Sequence, residues 1–501
     1  MSEDPRPAKE NPRATSEAPH TASGTSRPAS ETPRPMSADP QATSGTPRAA
    51  GETPQAMTGV RCDNPFPAIQ TDLYQLTMAA AYFAHGMNFP ATFELTVRRL
   101  PQDRGYLVAA GLEQAAEYLE GMRFSGAEID YLRRLPVFAE VDPRFFEMLR
   151  GFRFSGSVRA MPEGTLAFPH EPLLQVTAPI IEAQIVETWL LSMVNFQTLI
   201  ATKAARVVES ARGCTVIEFG LRRAHGPGAG DLAARASYIG GCAGTSDLLA
   251  GMKYGIPVFG TAAHSWILAC PSEEEAFRRY HAIFPKSCIL LIDTYDTVAG
   301  ARKAAAVVGP DLRGVRLDSG DFLALSREVR KTLDAAGLRA TKIVLSGDMN
   351  EYKIDELLRQ DAPVDIFGVG TELVVSKDQP ALGGVYKLVE TFENGARRYV
   401  MKFSEGKVTY PGKKQVFRGA EADMLGLEGE NVPGTPVLVD VMAEGRRVRP
   451  AEGLEPMRER ARSGRESLPE RCRRLVAPEV RAVEQSPGIR ALVEKLSSER
   501  R

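Results

Sequence analysis

The chain has 501 residues, and its 62 Lys/Arg against 63 Asp/Glu leave a formal net charge of −1. That length supports two or three domains with a large core, and that balance gives no global attraction to nucleic acid or an acidic surface. No run approaches the roughly 18 apolar residues of a membrane span, no basic-then-apolar leader opens the chain, and six scattered cysteines form no CxxC pair; together these predict a cytoplasmic protein with neither a disulfide framework nor a zinc site.

Residues 1–59 contain ten prolines and no Val, Ile, Leu, Phe, Tyr or Trp. They cannot bury enough apolar surface to offset ordering entropy, so a Pro/Ser/Thr-rich disordered tail is expected over 1–62. An α+β domain is expected over 63–195. It opens with a helix from Thr71 or Asp72 to about His85, then an alternating strand over 91–100. Helices follow at 111–121, 126–134 and 143–150, with proline-punctuated hairpins over 156–180. Two helices, 181–193 and 196–212, then lead into a catalytic domain over 196–390. A small β-rich lobe is expected at 391–443. The last segment, 444–501, carries 15 Lys/Arg against 10 Asp/Glu and predicts short exposed helices.

The catalytic domain is a succession of strand-like runs that end in polar or glycine residues before a helix. TVIEFG (215–220) runs into Leu221-Arg222-Arg223, SYIGGCAG (237–244) into Thr245-Ser246-Asp247, and IPVFG (256–260) into Thr261-Ala262-Ala263-His264. ILLI (289–292) ends in Asp293-Thr294-Tyr295-Asp296, and GVRL (314–317) in Asp318-Ser319-Gly320-Asp321. KIVL (342–345) ends in Ser346-Gly347-Asp348, and VDIFGVG (364–370) in Thr371-Glu372. The alternation predicts an irregular TIM-like α/β barrel whose carboxyl rim gathers these groups into one site for a phosphate-bearing substrate.

Each rim motif carries two readings. The turns at Gly347-Asp348 and Gly370-Thr371 bring backbone N–H groups toward an anion, or merely turn the chain. Asp293, Asp296, Asp318, Asp321 and Asp348 supply hard oxygens for Mg²⁺ carried in with a diphosphate, or cap helices; capping is expected for Asp321, while Asp296 and Asp318 are the metal candidates. Arg222, Arg223 and Arg316 clamp a carboxylate or phosphate, or form structural ion pairs. Arg316 and Asp318 are two residues apart and point the same way on an extended segment. His264 is a nucleophile toward phosphorus or a satisfied structural histidine.

Blocks TDLYQLTMAAAYF (71–83), FGLRRAHGPGAGDLAARASYIGGCAGTSDLLAGMKYGIPVFGTAAHSW (219–266), RLDSGD (316–321), VGTEL (369–373), VYKLVE (385–390) and YPGKKQVFR (410–418) resemble the nicotinate phosphoribosyltransferase family. The resemblance implies transfer of phosphoribosyl from phosphoribosyl diphosphate to nicotinate, coupled to ATP and dependent on Mg²⁺, in a homodimer with shared active sites. It implies that His264 is phosphorylated transiently, that Phe219 stacks the pyridine, and that Tyr74 reaches the other face from a partner subunit. Arg316 would meet the substrate's charges, Asp318 the ribose, Thr261 the nicotinate pocket, Gly370 and Thr371 the 5′-phosphate, and Arg222 phosphates. Asp247 stands where many relatives are expected to carry asparagine. The related nicotinamide enzyme places its acid one position earlier, at Ser246, so Asp247 is expected to cap the next helix. Nicotinamide or quinolinate transfer is the alternative within the class. From another class, the arginine-rich 446–474 segment could serve an RNA-binding scaffold, although no aromatic interleaves it.

Overall fold

The computed structural model describes residues 64–404 and 407–499; the tail expected over 1–62 lies outside the described residues. The strand-like runs of the catalytic segment form a six-stranded sheet in the order Gly244–Thr245, Thr215–Glu218, Ile366–Val369, Lys342–Leu345, Gly314–Leu317, Ile289–Leu291. Every pairing is parallel. Val216, Leu290, Val315, Leu317, Ile343, Leu345, Phe367 and Val369 form its buried core with apolar residues of the surrounding helices, as a parallel sheet covered on its faces requires.

The expected ring does not close. Beyond Gly244–Thr245 the ladder ends in a single bridge from Thr245 to Val258, and Ile289–Leu291 is the other edge. That bridge consists of the Thr245 N–H donating to Pro257 O (3.0 Å) and the Phe259 N–H donating to Thr245 O (2.9 Å), after which the chain leaves the ladder for the short helix His264–Leu268. SYIGGCAG also divides differently than expected. Residues 237–239 finish the helix Pro227–Ile239, and only Gly244–Thr245 is strand.

A second, seven-stranded sheet takes strands from both ends of the chain, in the order Ala396–Tyr399, Gly384–Glu393, Pro90–Val97, Pro172–Pro179, Ser157–Ala160, Val439–Ala443, Arg446–Arg447. All of its pairings are antiparallel. The strand Gly384–Glu393 therefore carries the chain out of the catalytic segment and pairs directly with Pro90–Val97. The first helix spans Leu73–Ala84, and Asp72 gives it no side-chain cap because its carboxylate accepts the Thr188 hydroxyl instead (2.8 Å). In place of helices at 181–193 and 196–212, a short Ile180–Ile185 helix is followed by one of 24 residues, Glu187–Ser210; no Gly or Pro interrupts the longer one. In the C-terminal segment, Leu454–Ser467 buries Met457, Ala461 and Arg465, a stripe spaced by four residues.

A buried ion network pins the 24-residue helix beneath the catalytic sheet. Lys203 Nζ pairs with Glu351 (2.6 Å) and Asp378 (2.8 Å), Arg206 Nε with Glu351 (3.2 Å), and Arg104 with Asp378 (2.8 Å). Burial works against the Asp378 carboxylate, but Arg104 and Lys203 outweigh it and hold the group down to about 2. A carboxyl depressed below its usual 3.8 stabilises the fold fully above that value and loses the contribution as pH falls toward 2. Asp378→Asn is therefore expected to lose about 1–3 kcal/mol at neutral pH. In urea titrations the gap from wild type should close between pH 4 and 2; a gap independent of pH would contradict this assignment.

Candidate active site

The carboxyl ends of the parallel strands open into one cavity of about 600 Å³, the place where open α/β sheets receive ligands. Arg316 organises its wall. Placed mid-strand in Gly314–Leu317, it donates from Nε to Ser346 Oγ (2.9 Å), from Nη1 to Thr261 Oγ1 (2.5 Å) and from Nη2 to Asp318 Oδ1 (3.0 Å). Three loops are thus tied to one planar cation. Asp318 also accepts the Ser346 hydroxyl (2.5 Å). Partial burial raises the Asp318 carboxyl, yet the Ser346 hydroxyl and the Arg316 guanidinium prevail and hold it below the usual carboxylate range, so it is ionised at neutral pH.

His264 opens the helix His264–Leu268, and its Nδ1 lies 3.0 Å from Thr294 Oγ1. That contact orients the ring, and Nε2 has no hydrogen-bond partner among the described residues. Phe219 follows the strand Thr215–Glu218; its N–H donates to Val369 O (2.8 Å) and its ring lies against Gly368, where a Cβ would stand 2.5 Å away. Gly347 has φ +91°, and a Cβ there would meet the Asp318 carbonyl oxygen at 2.1 Å. Only glycine lets the two turns approach so closely.

Of the residues singled out from sequence, Phe219, Arg222, Ser246, Thr261, His264, Arg316, Asp318, Gly347, Asp348, Gly370 and Thr371 all line this cavity, and Arg223 joins them. Two do not. Asp296 accepts the Ala299 N–H (2.7 Å) as a helix cap. Tyr74 is half-exposed on the Leu73–Ala84 helix, with its hydroxyl pushed up to about 12 by burial and by the Glu187 and Asp72 carboxylates. Asp321 caps its helix as expected. Asp247, 1% exposed, caps Leu248–Tyr254 by accepting the Leu249 and Ala250 N–H groups, so Ser246 stands on the wall in its place.

Two buried acids tie these turns together: Asp293, one of the rim carboxylates expected from sequence, and Glu218, which the sequence pattern does not single out. Glu218 accepts the Gly220 N–H and the Thr245 hydroxyl (2.5 Å for the latter), locking together the turns that carry Phe219 and Ser246; burial raises its carboxyl. Asp293 accepts the Asp318 N–H and the Ser319 hydroxyl, both at 2.8 Å. Glu218 stands at a strand end, the one signal that could have drawn attention to it.

No group of three or more His, Cys, Asp or Glu side chains that could hold a metal occurs among the described residues. The carboxylates on the cavity wall are Asp318 and Asp348. This donor set suits a Mg²⁺ that keeps its waters and is held mostly by substrate phosphates, rather than a resident ion in a protein cage.

A cationic fork, glycine turns and an aromatic wall at the carboxyl ends of a parallel sheet define an α/β enzyme site for an anionic ligand with a flat ring. Residues 69–195 match the nicotinate phosphoribosyltransferase N-terminal domain, and residues 214–408 match the nicotinate phosphoribosyltransferase family. A nicotinate phosphoribosyltransferase of Mycobacterium tuberculosis is 47% identical over 430 residues, covering 84% of this chain and 89% of its own. One from Bacillus subtilis is 44% identical over 381 residues, covering 73% and 77%. The crystal structure of human nicotinic acid phosphoribosyltransferase superposes with a TM-score of 0.75 at 32% identity, over 85% of this chain and 99% of that one. The chain belongs to the nicotinate phosphoribosyltransferase family.

Because Phe219 rests directly on Gly368, Gly368→Ala is expected to push the ring into the cavity. Calorimetry should show nicotinate binding weakened about tenfold or more at unchanged melting temperature; unaltered affinity would mean that Phe219 does not shape the ring's seat.

Proposed function

We propose that this chain joins nicotinate to the phosphoribosyl group of phosphoribosyl diphosphate, forming nicotinate mononucleotide and diphosphate for NAD salvage, with ATP coupled through His264. The observation that carries the reading is that Phe219, His264, Arg316 and Asp318 share one cavity. Nicotinate would lie against the Phe219 ring with its carboxylate toward the Arg316 side of the wall and the neutral Ser246 hydroxyl. Asp247 is turned away as a cap, which removes the repulsive acid and favours nicotinate over nicotinamide.

In the transfer, the ring nitrogen's lone pair forms the bond to the anomeric carbon as the bond to diphosphate oxygen breaks. Positive charge grows on the sugar carbon, and the ionised Asp318 stands where it can complement that charge. The turns at Gly347 and Gly370 offer backbone N–H groups to the phosphates. Mg²⁺ would enter with the diphosphate, touching Asp318 or Asp348, and neutralise the leaving group; Asp296, committed to its helix, is not needed for this. With Nδ1–H donating to Thr294, His264 Nε2 keeps its lone pair for the γ-phosphorus of ATP; the bond to the ADP oxygen breaks as the N–P bond forms, and water later hydrolyses the phosphohistidine. Replacing His264 by Ala is expected to abolish ATP stimulation of turnover while a slow ATP-independent transfer remains. Full ATP coupling in that variant would refute the role, and a kcat/KM higher for nicotinamide than for nicotinate would refute the substrate.

A homodimer with shared sites accounts for Tyr74 standing outside the cavity of its own chain. In support, an apolar collar flanks the mouth: Leu248, Leu249, Met252, Val258, Phe259, Trp266 and Leu268 are all exposed, more than a monomer's scattered surface apolar residues require. Co-expressed Tyr74→Ala and Phe219→Ala protomers should recover part of wild-type activity in the heterodimer, because one of its two sites is intact; no recovery would mean that Tyr74 acts within its own chain, or not at all. An RNA-binding role for 446–474 has no support, since Arg447, Arg460, Arg462, Arg471 and Arg473 are engaged by Glu113, Glu452, Glu459, Glu479 and Glu209.

A further inference from the structure

The parallel sheet has a second cavity at its opposite, amino-terminal end. It encloses about 460 Å³ between Cys214, Thr215 and Val216, Gly241, and the helix Leu454–Ser467, which contributes Arg458, Arg462 and Arg465 together with Glu455 and Glu459. The strand Thr215–Glu218 thus runs from this basal cavity to Phe219 in the active site.

Two guanidinium groups converge at its wall. Arg458 Nη2 donates to the Gly241 carbonyl (3.0 Å), and Arg465 Nη2 lies 3.4 Å from where a Cβ on Gly241 would stand. Gly241 has φ +115°, so no side chain is readily placed there. Arg458 Nε is buried without a hydrogen-bond partner. Among the described residues Arg458 Nη1 and Arg465 Nη2 have none either, their other donors going to Gly241, Ala461 and Ala205. The Tyr238 ring holds the Arg458 guanidinium from one side, 4.8 Å from its carbon. Nearby acids are drawn elsewhere: Glu459 to Arg462, Glu209 to Arg473, and Glu455 to the Tyr238 hydroxyl. Glu209 remains 3.6 Å from Arg465 Nη1 and offsets only part of its charge. Two planar forks with spare donors, close together, match the oxygens of a phosphate.

We propose that this basal cavity binds a phosphate monoester, its phosphate between Arg458 and Arg465 and its organic part filling the remaining volume, which lies in the range of small-molecule pockets. Equilibrium dialysis of the full chain against labelled adenosine monophosphate tests it, with inorganic phosphate as a second arm. Wild type is expected to bind one more equivalent of the nucleotide per chain than Arg458→Gln, with basal transferase turnover unchanged. Arg471→Gln should behave as wild type, because that guanidinium is held by Glu479 and does not line the cavity. Equal stoichiometry in wild type and Arg458→Gln would overturn the site. Binding of inorganic phosphate there without the nucleotide would overturn the monoester. A wild-type crystal soaked in tungstate gives a readout free of any folding defect: an anomalous peak between Arg458 and Arg465 is expected, and a peak at the active-site rim alone would refute the proposal.

Discussion

The site depends on a single side chain reaching three loops at once. Arg316 is anchored in the middle of a parallel strand, and its fork reaches Ser346 and Thr261 on sequence-distant segments and Asp318 just beyond its own strand. Each loop alone would be free to move at the mouth of an open sheet. Tied to one rigid, permanently charged plane, they hold the cation, the ionised Asp318 and the glycine turns at fixed separations before any ligand enters. Such preorganisation is what electrostatic catalysis requires, because groups already aimed at developing charge need not reorganise when it appears.

Beneath that layer lies another that meets no ligand directly. Glu218 ties the Phe219 turn to the Thr245 turn, and Asp293 holds the Asp318 backbone and the Ser319 hydroxyl. Both are buried carboxylates accepting two donors each, an arrangement that offsets much of the desolvation they suffer. Their position explains why so open a cavity can still be well defined: its floor is stiffer than its rim.

Much of the site was legible in the sequence because the signal is local. A short apolar run followed by Gly, Asp, Arg or His marks a strand end, and parallel strands collect such ends on one side. Asp247 could be read as a cap for a similar reason, since a cap bonds its own next turn. What escaped was non-local. Ring closure depends on pairing between distant segments, which no local run of residues reports. SYIGGCAG is apolar and glycine-rich whether helix or strand, and periodicity over so few residues cannot separate the two. Glu218 reads as an ordinary surface acid until Thr245 is seen beside it. The arginines of the last segment read as a basic face because partners such as Glu113 and Glu209 lie hundreds of residues earlier.

The interleaving of chain ends in the antiparallel sheet has a kinetic consequence. Pro90–Val97 carries Pro172–Pro179 on one side and Gly384–Glu393 on the other. During synthesis the first neighbour emerges early, but the second appears only after nearly three hundred further residues. Until then the strand presents a bare hydrogen-bonding edge, the kind of template on which nascent chains misassociate. Contacts of such long sequence separation also slow folding. Maturation of the N-terminal layer must therefore wait for the catalytic sheet to leave the ribosome.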